Sequence, residues 1–195
     1  MNGSATVVRS GCMAKDADMI LSEFILLGIG GKELSEENAA QTAKALNIIQ
    51  PDFIRVHATG IKLESKLGEF VRDGSFTLQS EEEIVIEQKL FLQQLHEMDS
   101  YYVNEHIVNL LLEVRGNLRT EKQEMLSTID RFLTLPPDER LLFTVGRRVN
   151  IFFRLDDLKK PKLHQKAGES LQQILSKNPH VDFAALCNYV RQSQI

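Results

Sequence analysis

Apolar and polar positions divide the first half of the chain into short continuous runs and amphipathic stretches. Phe24-Ile25-Leu26-Leu27-Gly28-Ile29 is an apolar run ended by Gly30-Gly31. Its brevity and its flanking glycines predict a buried strand rather than a helix. Leu34-Ser35-Glu36-Glu37 then opens a helix, with Ser35 in the N-cap place and two glutamates at the positive end of the helix dipole. Ala39, Ala43 and Leu46 recur at helical spacing and give it a small-residue face that can lie close to a sheet; Pro51 stops it. Phe53 to Ala58 predicts a second strand, with Phe53, Arg55 and His57 on one face and Ile54, Val56 and Ala58 on the other. Residues 24–58 therefore read as one β-α-β unit, a connection that is almost always parallel and right-handed.

Residues 60–79 read as a loop, with a helical turn around Leu67, Phe70 and Val71. Ser80 with Glu83 forms a capping box, and Ile84, Leu90, Phe91 and Leu95 carry the helix it opens. Tyr101-Tyr102-Val103 predicts a third strand that closes a second crossover, whereas 107–114 fits either period. Thr120 with Gln123 repeats the capping-box pattern ahead of Met125, Ile129, Phe132 and Leu133, and Pro136-Pro137 ends that helix and begins another. From Gly146 the character changes. Seven lysines and arginines fall between Arg147 and Lys166, and two short helices split by Asn178-Pro179 follow. The basic stretch reads as a solvated helix face or a docking surface. The expected organisation is an α/β region over 1–145 and a helical C-terminal extension over 146–195.

Composition narrows the classes. The chain has 195 residues, 43% of them hydrophobic and 26% charged, which suits a soluble globular protein with a sizeable core. A net charge of -4 argues against a general binder of nucleic acid or of an anionic membrane. No apolar run approaches the ~18 residues of a membrane span. Met1-Asn2-Gly3-Ser4-Ala5-Thr6 lacks the charged start and apolar core of a secretory signal. Cys12 and Cys187 stand far apart, which excludes a disulfide scaffold and any site built on several local thiolates. The expected compartment is the reducing cytoplasm.

Three constellations carry candidate chemistry. The strand–Gly28-Ile29-Gly30-Gly31–helix junction either lets a ligand approach the backbone at a helix N-terminus or is a tight turn needing positive φ. Its spacing departs from the dinucleotide fingerprint. Arg55 and His57 share a strand face, where they either line an active face or find a neighbouring carboxylate. Asn104-Glu105-His106 with Asn109 could do acid–base work or ligate a metal, or simply hold its own loop. His96, His164 and His180 sit in polar surroundings, and no Ser-His-Asp set, phosphate loop or carboxylate dyad is discernible.

Several segments taken in order carry a family resemblance. They are Lys15-Asp16-Ala17-Asp18-Met19, the run from Phe24 to Gly31, Ser35-Glu36-Glu37-Asn38-Ala39, and Asn47-Ile48-Ile49-Gln50-Pro51-Asp52-Phe53-Ile54-Arg55. Gly74-Ser75-Phe76-Thr77-Leu78, Ser80-Glu81-Glu82-Glu83 and Asn104-Glu105-His106-Ile107-Val108-Asn109 follow. In order and spacing, residues from about 10 to 145 resemble the C-terminal part of a radical S-adenosylmethionine (radical SAM) protein. The resemblance implies a partial (β/α) barrel fragment, made of the last two or three parallel strand–helix units. Complete family members hold a [4Fe-4S] cluster on a CxxxCxxC loop and bind S-adenosylmethionine at its open iron. They cleave it to a 5′-deoxyadenosyl radical. By resemblance, Gly28, Gly30 and Gly31 lie near the adenosine of the cofactor, and Arg55 and His57 face the cavity from the following strand.

The chain lacks CxxxCxxC and begins partway through the family's pattern, without its first four strands. The expectation is a truncated relative that is not catalytic alone and holds no cofactor alone. An open strand edge would then be completed by a chain carrying the N-terminal half, by a second copy, or by the C-terminal extension folding back. The rival expectations are a component of an enzyme whose partner chain bears the cluster, a free-standing α/β enzyme in which Arg55, His57, Glu105 and His106 converge in one pocket, and an α/β adaptor acting through its tail.

Overall fold

Strand β1 (Ser22–Leu27) pairs in parallel with β2 (Phe53–Ala58), and β2 in parallel with β3 (Tyr101–Val103), in a computed structural model that describes residues 3–194. A short β4 (Gly116–Asn117), which the hydropathy pattern does not announce, adds antiparallel to β3. The result is an open, mostly parallel four-stranded α/β sheet of order β1-β2-β3-β4. Helix α1 (Gly3–Asp16) precedes it, α2 (Ser35–Ile49) joins β1 to β2, and α3 (Lys66–Asp73) with α4 (Glu81–Gln94) joins β2 to β3. After β4 come α5 (Lys122–Leu133), α6 (Pro137–Arg148), a 3-10 turn over Leu155–Lys159, α7 (Pro161–Lys177) and α8 (Phe183–Gln192). No described helix is long and apolar enough to cross a membrane.

Register explains the layering. Ile25 and Leu27 of β1 lie on the same side as Ile54, Val56 and Ala58 of β2, and all five are buried with Ala39, Ala43 and Leu46 of α2 and Ile84 and Phe91 of α4. The alanines of α2 bring its axis close to the strands, and α2 and α4 also pack on each other. Among the described residues no helix packs on the opposite parity. Phe24 is 64% exposed and Leu26 47%. The apolar run thus forms a strand buried on one face, not on both, because every crossover helix lies on the other side.

The helix starts differ in one respect from the sequence pattern. Ser80 and Glu83 form the reciprocal capping box of α4 as expected. Ser35, by contrast, is the first helical residue of α2, with Leu34 in the cap place and no side-chain cap. Its hydroxyl donates instead to buried Glu87, at 2.9 Å. Similarly, α5 starts at Lys122 after Glu121, which turns back to accept from the Asn117 amide, and Thr120 lies outside the helix.

The expected boundary at 146 falls inside α6. Gly146 is there because Phe152 lies against it: a Cβ would sit 2.3 Å from the Phe152 ring. Phe152, Leu155, Leu158 and Ala167 join the same core as the sheet. Arg147 and Arg148, read as part of a solvated or docking stretch, are buried. Arg147 donates to the carbonyls of Ile107, Leu110 and Asn109, gathering the loop before β4, and burial with Arg148 alongside pushes its pKa down to about 10. Arg148 engages both oxygens of Glu81 and the Val108 carbonyl. Arg191 of α8 reaches the same Glu81 carboxylate. Burial opposes ionisation of Glu81, but the two guanidiniums win and hold its pKa below the usual carboxylate value. Asn188 pairs through its amide with both the N–H and the C=O of Ile61, and Arg191 donates to Thr59 O, so α8 docks on the chain leaving β2.

Candidate functional site

Gly28 and Gly31 have φ of 81° and 64°, the left-handed region where glycine is at no disadvantage, whereas Gly30 does not. The turn is closed from within. Gly28 N–H donates to Glu87 Oε1 at 3.1 Å, and Asn38 Nδ2 donates to the same oxygen at 2.7 Å. Gln79 Nε2 donates to Ser35 Oγ, and Lys32 N–H to Thr77 O. A Cβ on Gly31 would lie 2.9 Å from Thr77 O and one on Gly28 3.2 Å from Gln79 Oε1. The segment 77–79 therefore packs directly on the glycines, which form a tight βα turn over a buried carboxylate.

Arg55 and His57 have a different setting. In register with Phe24 and Leu26 of β1, and with Val103 of β3 beside Arg55, they stand on the bare face of the sheet. Phe24 and Phe53 flank the Arg55 guanidinium at 6.0 and 5.9 Å, and Nε donates to Ser22 Oγ at 3.0 Å. The His57 ring stacks on His106 at 4.3 Å and meets the edge of Phe24 at 5.5 Å. Desolvation first, then the neighbouring His106 and Arg55, push the His57 pKa below its ordinary value. Phe24, Arg55, His57, Val103, Glu105 and His106 line a depression of about 300 Å³ toward the carboxyl ends of β2 and β3. Arg55, His57, Glu105 and His106 thus converge, while Gly28, Gly30 and Gly31 are not in the lining.

The polar loop after β3 divides by role. Asn109 accepts from Ala58 N–H and donates to Val56 O and Asn104 Oδ1, while Asn104 donates to Leu111 O. These two asparagines hold the loop against the end of β2 and so aim His106 at His57. Glu105 is paired with Arg115. The stacking of His57 on His106 had no signal in the sequence, since a loop's path is set by tertiary contacts.

A larger cleft of about 470 Å³ lies between β3, α5 and the 3-10 turn, lined by Tyr101, Glu113, Arg131, Phe153, Arg154 and Asp156 among others. Much of its charge is internally answered. Arg131 pairs with Asp156, and Glu113, whose pKa is raised by burial, accepts from Leu155 N–H. The smaller depression, which gathers Arg55 with the stacked pair of His57 and His106, is the better candidate.

A cluster on a CxxxCxxC loop takes three thiolates, and the chain has two cysteines. Cys12 lies half-buried on α1; Cys187 is buried in α8 beside Glu81, with its thiol pushed up to about 12 by desolvation. The residues present do not fit a cluster. Among the described residues no group of three His, Cys, Asp or Glu side chains is placed to hold a metal ion. No protein-family model, curated protein or solved structure matches this chain.

Proposed function

We propose that this chain supplies the last strand–helix units of a radical SAM-type (β/α) barrel, is not catalytic alone, and acts through a partner chain that completes its open sheet. One observation carries the reading. The parallel strands follow one another in chain order, and both crossovers lie on one side. A doubly wound sheet reverses its order and covers both faces, whereas a barrel winds in one sense and keeps its other face for the lumen. The bare face with Phe24, Leu26, Arg55 and His57 would then be lumen, and the unpaired edge of β1 the seam for the missing strands.

The test is anaerobic co-expression with a chain carrying the first four strand–helix units and the CxxxCxxC loop of a radical SAM protein. The two chains are expected to elute as one brown species, and Phe24→Glu to separate them. Elution of the two folded chains apart overturns the reading.

The convergence of Arg55, His57, Glu105 and His106 favours a second reading, a free-standing α/β enzyme using these groups for acid–base work. That reading needs no partner.

A further inference from the structure

We propose that the depression holding Arg55, His57 and His106 is a binding site for a dianionic oxyanion of the phosphate-monoester class, with Phe24 and Val103 forming the apolar wall for the group that carries it. The inference uses the bare face as it stands and needs neither barrel closure nor a family relationship.

Arg55 carries the argument. It is half-buried, with its guanidinium near two aromatic rings and Nε already engaged by Ser22. Among the described residues no carboxylate pairs with it, and its terminal nitrogens make no hydrogen bond to protein. A guanidinium is always charged, and its terminal N–H groups match two oxygens of a phosphate. Unlike buried Arg147, whose guanidinium is met by three carbonyls, Arg55 has no acceptor for its terminal nitrogens among the described residues. Here the Ser22 bond to Nε and the neighbouring rings restrict the side chain, so less ordering remains when an anion arrives.

The imidazoles supply the second half. His57 and His106 stack at 4.3 Å, so their charged forms repel each other unless an anion sits beside them. The groups facing them are Phe24 from β1, Arg55 from β2, and Glu105 from the loop after β3, whose carboxylate is taken by Arg115. On the covered side of the sheet Ile54 and Val56 are buried, and the carboxylates there, Glu23 of β1 and Glu87 of α4, lie across the sheet from the two rings. A tetrahedral dianion would neutralise Arg55 and one imidazolium together; a monoanionic carboxylate would leave one cation unanswered.

The pH dependence has a definite sign. Burial and its cationic neighbours lower the pKa of free His57, so the ring is neutral at pH 7 and takes up a proton only below its ordinary value of 6.5. A bound dianion favours the protonated ring. Affinity therefore rises as pH falls and is weakest where His57 stays neutral.

Sulfate is the probe, because it remains a dianion throughout and any pH dependence then belongs to the protein. The chain is titrated with sodium sulfate against a chloride background at about pH 5.5 and pH 8, following the ring signals of His57 and His106 by NMR. Saturable shifts of both rings are expected, with affinity weaker by about tenfold at the higher pH. Arg55→Gln should weaken sulfate at least about tenfold, the effect of losing a charge-assisted hydrogen bond. Arg55→Lys, which keeps charge and stem, should fall between, and serves if the glutamine variant does not fold. His57→Asn should keep binding and flatten its pH dependence. Unshifted rings at either pH overturn the proposal, as does equal affinity in the Arg55 variants. Benzoate binding as tightly as phenyl phosphate overturns the phosphate assignment.

Discussion

Asn109 shows how much a single side chain can settle. Strand β3 stops at Val103, which leaves Val56 O and Ala58 N–H of β2 without a ladder partner there. The Asn109 amide takes both, donating to one and accepting from the other at 2.7 Å, and so stands in for one residue of strand. Asn109→Ala should lower stability by at least about 2 kcal/mol in urea unfolding, because it leaves buried backbone groups unpaired. Asn109→Asp should do no better, since it replaces a donor by a second acceptor facing Val56 O. Legibility at this scale was uneven. Asn104 and Asn109 were visible as a polar cluster, and their loop-holding role is an ordinary one for asparagine. Glu87 was not visible. On sequence it is one more helix glutamate, yet it is 0% exposed and receives Gly28, Ser35 and Asn38. Only the fold brings three donors to one position.

At the scale of elements, α4 is the piece on which distant segments meet. Its capping box was legible because Ser80 and Glu83 are three residues apart and act locally. The partners of the neighbouring Glu81 were not, since they come from α6 and α8. Its carboxylate is buried with two arginines, and removing either leaves charge poorly compensated. Arg148→Ala should cost about 3–5 kcal/mol in the same unfolding experiment, the usual penalty for breaking a buried pair. Arg191→Ala should cost less, because Glu81 keeps the two-point contact with Arg148. It should also speed hydrogen exchange of the Ile61 amide, which α8 holds through Asn188. Equal costs for the two variants would show that Glu81 does not discriminate between them. The strands were readable from period-two alternation in β2 and from flanking glycines in β1, but an unbroken apolar run does not say which of its faces is covered.

Across the whole molecule, the covered and bare faces of the sheet obey different rules. The covered side is continuous with the core of α5, α6 and α7, so the C-terminal half stabilises the sheet from the same side as α2 and α4. The other side leaves Phe24, Leu26 and Tyr101 in water, the last 40% exposed. Exposed apolar groups of this kind mark a surface with a use. Phe24→Ser with Leu26→Thr should abolish binding of a hydrophobic dye while changing stability by no more than about 0.5 kcal/mol, as for other surface substitutions. A large loss of stability would mean that this face supports the fold itself. Changes confined to the covered side, such as Ile54→Ala, belong to the core regime.

The Glu81 ion triad also imposes an order in time. On a growing chain, Glu81 is made 67 residues before Arg148 and 110 before Arg191. Until those arginines emerge, an ionised carboxylate at the start of α4 has no cation to bury against and must stay hydrated. The β-α-β unit can form early, because its contacts are local, but the region around Glu81 must remain open to water until α6 and then α8 have been synthesised. A ribosome stalled before position 191 would therefore hold a nascent chain with a wet seam at α4, open to chaperones and proteases.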